Sequence, residues 1–239
     1  MGFVNMSSPE MQPGREFRPS SESFFAAMQR YGGVEEGEGS RKVSVIGADE
    51  MQAVMRFRNG IPSQAHSFEV DFSDDTSGNR TNHNTHLVTG VEKGLVAGEF
   101  MRSRDFGLKN QERTVTIKQG RGIVMLQRHA SDTSSNIAPD VVEEFKAVKV
   151  SAGEQILIPP GYFYALVNTN NDAVLVAQHN GSRIEDDGNP NSQGLRDMHG
   201  FAFRVVAVDS HVCLERNTNY KEVKTCNNGG MLFSDQNLD

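Results

Sequence analysis

From about residue 86 onward the apolar residues come in short runs, rich in valine, isoleucine and leucine and separated by Gly, Pro, Asn or Asp. The runs are HLVTGV, GEFMRSR, RTVTIKQ, GIVMLQRH, FKAVKV, EQILIPP, YALVN, AVLVAQH and FRVVAV. β-Branched side chains fit a pleated, half-buried surface, and turn residues at such close intervals leave little length for helices. The pattern predicts an all-β protein of successive antiparallel strands, folded into a sandwich or barrel. An earlier run, KVSVIG, starts the strand-rich region. Upstream of it, SESFFAAMQRYG predicts a short helical N-terminal extension, with Ser20 or Ser21 as N-cap and Phe24, Phe25 and Met28 on one face. Gly32 and Gly33 stop it.

These signals divide the chain into a flexible segment over 1–20, a single domain over 21–226 and a flexible tail over 227–239. A chain of 239 residues is long enough to bury a core without staples. A formal net charge of -7 and a pI near 5.5 exclude general attraction to nucleic acid or to anionic lipid, leaving a small-molecule substrate as the expected partner. The N-terminus has no basic stretch leading into an apolar run. No window approaches the roughly 18 apolar residues of a membrane span. The expectation is a soluble, unexported, cytoplasmic protein with no membrane partner. Cys213 and Cys226, the only two cysteines, read as free thiols in a reducing compartment.

Two stretches carry a resemblance. QGRGIVMLQ at 119–127, followed by VSAGEQILIPPGYFYALVNTNNDAVLVA at 150–177, resembles the second half of a cupin barrel, most closely that of the cupin-type glucose-6-phosphate isomerases. Gly120, Gly122, Leu126, Gln127, Pro159, Pro160 and Asn168 match that frame. GEFMRS at 98–103 and HGFAFRVVAVDSHVCLERN at 199–217 agree with it in order. The resemblance implies a cupin, a jelly-roll barrel with a pocket at its wide end; the exposed edge strand of such an open barrel is expected to be covered by a second copy in a homodimer. The resemblance also implies a divalent ion on two histidines, a glutamate and a third histidine, and here the sequence departs. The first two ligand positions fall on Phe106 and Leu108, or on Arg104 and Phe106, depending on where the count starts. The glutamate position falls on Arg113 and the last histidine on Tyr164, with no histidine between Leu87 and Arg128. Arginine stays protonated and repels a divalent cation. The expectation is therefore a barrel with no metal and no cofactor. The turn that holds the sugar phosphate in those isomerases has become Arg102-Ser103 and Arg104-Asp105, leaving Ser103 as a hydroxyl for a phosphate.

Arg104, Arg113, Tyr162 and Tyr164 form the most informative set. If they point inward, Arg113 can hold a carboxylate, enolate or phosphate, and the Tyr164 phenol can donate to a carbonyl. The competing reading pairs Arg113 with Glu112 or Asp105 at the surface and leaves Tyr164 as filling. His129 shares a strand face with Met125 and Gln127, and the resemblance puts Gln127 near the pocket. His129 thus becomes a candidate general base against the alternative of a solvated strand end, and His179 reads the same way. His83 and His86, in the polar run TNHNTH, read as a surface loop. The function expected is a metal-independent isomerase or cyclase, a pericyclic cyclase of a natural-product pathway being one fit. It would polarise a carbonyl with Arg113 and Tyr164, and hold a largely apolar substrate among Phe106, Val115, Met125 and Leu166. The alternatives are a sugar-phosphate isomerase with an altered site and a non-catalytic ligand-binding cupin.

Overall fold

The computed structural model describes residues 26, 27, 30, 41–47, 51, 52, 54, 55, 67–72, 86–107, 111–129, 139–170, 173–180 and 195–234. Its first eight strands are β1 (Arg41–Ile46), β2 (Ser67–Phe72), β3 (His86–Val91), β4 (Leu95–Val96), β5 (Glu99–Phe100), β6 (Phe106–Gly107), β7 (Arg113–Gln119) and β8 (Arg121–His129). The others are β9 (Val141–Ser151), β10 (Gln155–Ile158), β11 (Phe163–Asn168), β12 (Leu175–Asn180), β13 (Phe203–Val208), β14 (His211–Arg216), β15 (Glu222–Asn227) and β16 (Leu232–Phe233). Each apolar run after residue 86 contains one of them, and KVSVIG supplies β1. The run SFEVDF, which alternates as a half-buried strand should, forms β2 and pairs with both β1 and β3.

The strands form three sheets. The first has the order β1-β2-β3-β12-β7-β10, the second β15-β9-β8-β11-β6 and the third β16-β14-β13-β5-β4. Number β3 and β6 to β12 in chain order from one to eight. The first sheet then carries strands 1-8-3-6 and the second carries 5-4-7-2. This alternation is the jelly roll, the fold that the cupin resemblance implies. Gly120, at φ +83°, sits where the chain leaves the first sheet for the second, a backbone state open to glycine at little cost. Gly122 follows two residues later because a Cβ there would lie 2.2 Å from the Val167 carbonyl oxygen.

Three apolar clusters hold the sheets. One fills the barrel between the first two sheets, with Val115, Ile117, Val124, Leu126, Ile158 and Leu166 among its members. A second joins the other face of β8, β9 and β11 to the third sheet through residues such as Ile123, Phe145, Phe163, Phe203 and Leu214. The third lies on the outer face of the first sheet, where Phe68 and Val176 meet Ala27. Ala26, Ala27 and Arg30 are helical, as the N-terminal pattern predicts, while Phe24, Phe25 and Met28 lie outside the described residues. Residues 227–234, expected in a flexible tail, are instead packed against the fold. Met231 is buried, β16 pairs in parallel with β14, and the Ser234 amide donates to the Leu214 carbonyl at 2.9 Å.

Candidate active site

Strand register decides which residues can meet. β11 is buried at every position, so both of its faces pack on something. Tyr164 pairs with Leu126 and Leu166 with Val124, all in the barrel cluster; Phe163 pairs with Gln127 and Ala165 with Met125, on the opposite face. Directly opposed residues share a face. Met125, Gln127 and His129 therefore look away from the barrel, which overturns their assignment to the pocket. Gln127 braces the third sheet instead. Its Oε1 accepts from the Ala202 amide at 2.8 Å, and its Nε2 lies 3.0 Å from both the Tyr220 hydroxyl and His129 Nε2. The His129 ring, which burial holds below its ordinary pKa, packs against Phe163 and Tyr220.

Inside the barrel the sequence-predicted residues Arg104, Phe106, Arg113, Val115, Tyr164 and Leu166 do come together, at the end where β7 and β11 begin and β12 ends. His179, opposite Val115 on β12, joins them. The Tyr164 hydroxyl and His179 Nδ1 are 2.7 Å apart. The Phe106 ring stacks on Tyr164, with centroids 5.0 Å apart and planes at 25°, and lies 5.1 Å from the His179 ring. Arg104 covers Phe106 with its guanidinium 5.1 Å from the ring centre, and its Nε bonds Glu69 at 2.6 Å. The Arg113 guanidinium lies close enough to the Tyr164 phenol to pull its pKa down. Tyr164 and His179 are 0% and 1% exposed, whereas the Arg104 side chain is 25% exposed, so Arg104 marks the side open to solvent.

Burial sets the protonation states. It pushes the Tyr164 phenol up to about 12, with Arg113 pulling in the other direction, and it holds the His179 imidazole well below its ordinary value, helped by Arg113 and Arg104. Tyr164 is thus a phenol and His179 a neutral ring. Tyr162 stands at the rim, its hydroxyl on Glu144 and its ring flanked by Arg128 and Lys146 at 5.6 and 5.4 Å. Hydrogen bonds from Tyr162, then Lys146, lower the Glu144 pKa.

Other candidate groups are already engaged. The Ser103 hydroxyl donates to the Arg104 carbonyl at 2.8 Å and accepts from the Leu166 amide at 3.0 Å, which ties two segments together and leaves it unsuited to a phosphate. Asn168 braces the Val91 and Ala173 carbonyls. Asp105 is paired with the buried Arg102, and Glu112 is exposed while Arg113 is buried, so a surface pair does not describe Arg113. Two interior residues were not anticipated, Glu69 and Thr89, which face each other across β2 and β3. The alternation of SFEVDF marks a strand, but it would place Glu69 on a solvent face, whereas both faces of this strand are buried.

A divalent ion does not fit this donor set. Among the described residues the barrel interior carries one imidazole, His179, and one carboxylate, Glu69, which Arg104 holds. Among the described residues no group of three His, Cys, Asp or Glu could hold a metal. Two guanidinium groups beside the imidazole would repel a cation.

No protein-family model matches the sequence, and no curated protein matches it. Among solved structures, the chain is similar to CapF in complex with 3-isopropenyl-tropolone (17% identity over 53% of this chain and 30% of that one, TM-score 0.35). It is similar to a Lactobacillus farciminis oxalate decarboxylase (8%, 50% and 29%, 0.34) and to a hazelnut vicilin (14%, 51% and 31%, 0.34). The chain spans about a third of the length of each. Overlaps this partial carry no residue's role from those proteins to this one.

Proposed function

We propose that the protein is an enzyme that isomerises or cyclises a small, largely apolar organic substrate without a metal, the polar cluster around Arg113 and Tyr164 polarising a carbonyl of that substrate. One observation carries this. Five polar side chains, Glu69, Arg104, Arg113, Tyr164 and His179, converge at one end of a largely apolar barrel. Burying such groups costs free energy that aliphatic filling would avoid. Their arrangement also suits chemistry in which charge builds on an oxygen, because donors outnumber acceptors. Val115, Leu126, Ile158 and Leu166 supply the apolar wall. Access lies at Arg104: lifting its guanidinium from Phe106 and Glu69 uncovers the aromatic floor. A pericyclic closure moves electrons only within the substrate, so it asks the protein for orientation and for donation to a carbonyl, and needs no co-reactant.

The test is turnover of a panel of conjugated enones and trienones by purified, chelator-treated protein, with products read by NMR. Conversion that survives chelation and is lost when Arg113 and Tyr164 are both changed to Ala supports the reading. A stoichiometric divalent ion whose removal abolishes turnover sinks the metal-free part, and wild-type rates in the double variant remove the site. A ligand that raises the melting temperature without ever being converted makes the chain a binding protein. Glucose 6-phosphate, whose phosphate would find Ser103 engaged, is expected to be inert.

A further inference from the structure

The hydrogen bonds around Tyr164 have a direction. A guanidinium can only donate, so Arg113, beside Tyr164, offers no acceptor for the phenolic proton. The phenolic proton must then go elsewhere, and among the described residues the acceptor within reach is His179 Nδ1, at 2.7 Å. The imidazole is neutral, so its proton sits on Nε2. That atom is fully buried and has no hydrogen-bond partner. The reverse arrangement, with Nδ1–H donating to the phenol, would strand both the phenolic proton and the Nε2 lone pair inside the barrel. One stranded group costs less than two.

We infer that His179 is a neutral donor whose Nε2–H, fixed in place by Tyr164, contacts the substrate oxygen, and that the substrates are ketones or enones whose oxygen gains charge during reaction. The inference rests on the catalytic reading of this site and sharpens it: the imidazole stabilises an oxyanion and does not abstract a proton. Tyr164 becomes a positioning residue, since its own proton is committed to the ring. The groups that face His179 are consistent with this. Arg113 on β7 and Arg104 before β6 are cationic, Tyr164 on β11 is a phenol, Phe106 on β6 is apolar, and Glu69 on β2 is held by Arg104.

Long-range ¹H–¹⁵N correlation spectra of the uniformly labelled wild-type chain test the tautomer without any turnover, the His179 signal being assigned by its loss in His179→Gln. The expected result is a neutral ring protonated on Nε2 from about pH 6 to 8, with a mixed tautomer in Tyr164→Phe. An Nδ1–H tautomer, or a ring that titrates in this range, overturns the inference; so does a Tyr164→Phe spectrum identical to that of wild type. Addition of 2-cyclohexen-1-one to the wild-type protein tests the contact. A downfield shift of the Nε2 proton supports it, and an unmoved Nε2 proton at saturating probe overturns the ketone class. Failure of the enzyme reading would show separately, as absence of turnover with the tautomer intact.

Discussion

Tyr164 occupies the position at which the cupin resemblance places a metal-binding histidine, and its surroundings have changed with it. A phenol cannot replace imidazole as a ligand for a divalent ion next to two guanidinium groups. It can instead align a second ring, and His179 is that ring. Tyr164→Phe keeps the stack on Phe106 and deletes only the hydroxyl. It should cost about 1–3 kcal/mol of stability, because His179 Nδ1 loses its buried partner; urea titration measures it. His179→Ala removes the proposed donor and should lower kcat by about 10²–10³-fold with a smaller change in KM, as loss of a single oxyanion donor does. Equal kcat in that variant would leave the ring a structural filler. The sequence offers His179, at the end of AVLVAQH, as a candidate base or a solvated strand end, with no sign of its partner. Its meeting with Tyr164 joins strands of different sheets, and that contact has no local signature.

At the scale of elements, β8 shows how one strand can serve two cores. Val124 and Leu126 face the barrel, while Ile123, Met125 and Gln127 face the third sheet. Gln127→Ala should therefore act on the β13–β14 hairpin: it removes bonds to Ala202, Tyr220 and His129 and should cost about 2–4 kcal/mol, with faster amide exchange in β13 and β14. Unchanged exchange in those strands would put Gln127 outside that network. Gly122→Ala should be worse, since its Cβ would meet the Val167 carbonyl oxygen at 2.2 Å and the Leu175 side chain at 2.8 Å, and the Val167 backbone cannot give way without breaking the β8–β11 ladder. The strands themselves were legible because short β-branched runs and turn residues are local signals. The face of β8 was not. A strand buried on both sides reads as a continuous apolar run, so alternation gives no contrast from which to tell barrel from outer layer. The resemblance supplied a direction for Gln127, and the third sheet, covering that face here, gave it another role. Glu69 was missed for a different reason: SFEVDF alternates clearly, and that alternation would place Glu69 on a solvent face.

At the scale of the whole molecule, two of the three apolar clusters lie between sheets, and beside each stands a histidine that its surroundings keep neutral. His179 in the barrel is depressed by burial, then by Arg113 and Arg104; His129 in the outer core is depressed mainly by burial. In the unfolded chain both rings take up a proton near their ordinary value of 6.5. Below that pH the unfolded chain holds more protons than the folded one, so folding becomes less favourable as pH falls. The contribution is complete above about pH 6.5 and is lost progressively beneath it, by at most about 1.4 kcal/mol per pH unit for each ring, and by less for the more accessible His129. Glu144, lowered by Tyr162 and Lys146, adds a loss of the same sign in a separate window, below its ordinary 4.5. Urea midpoints are thus expected to drop between pH 7 and 5.5, above the Glu144 window. His179→Gln, with no ring to protonate, should remove the larger part of that drop while leaving the lower window unchanged. A wild-type midpoint that stays flat from pH 7 to 5.5 would mean that neither core holds its imidazole neutral, and the donor assigned to His179 would fall with it.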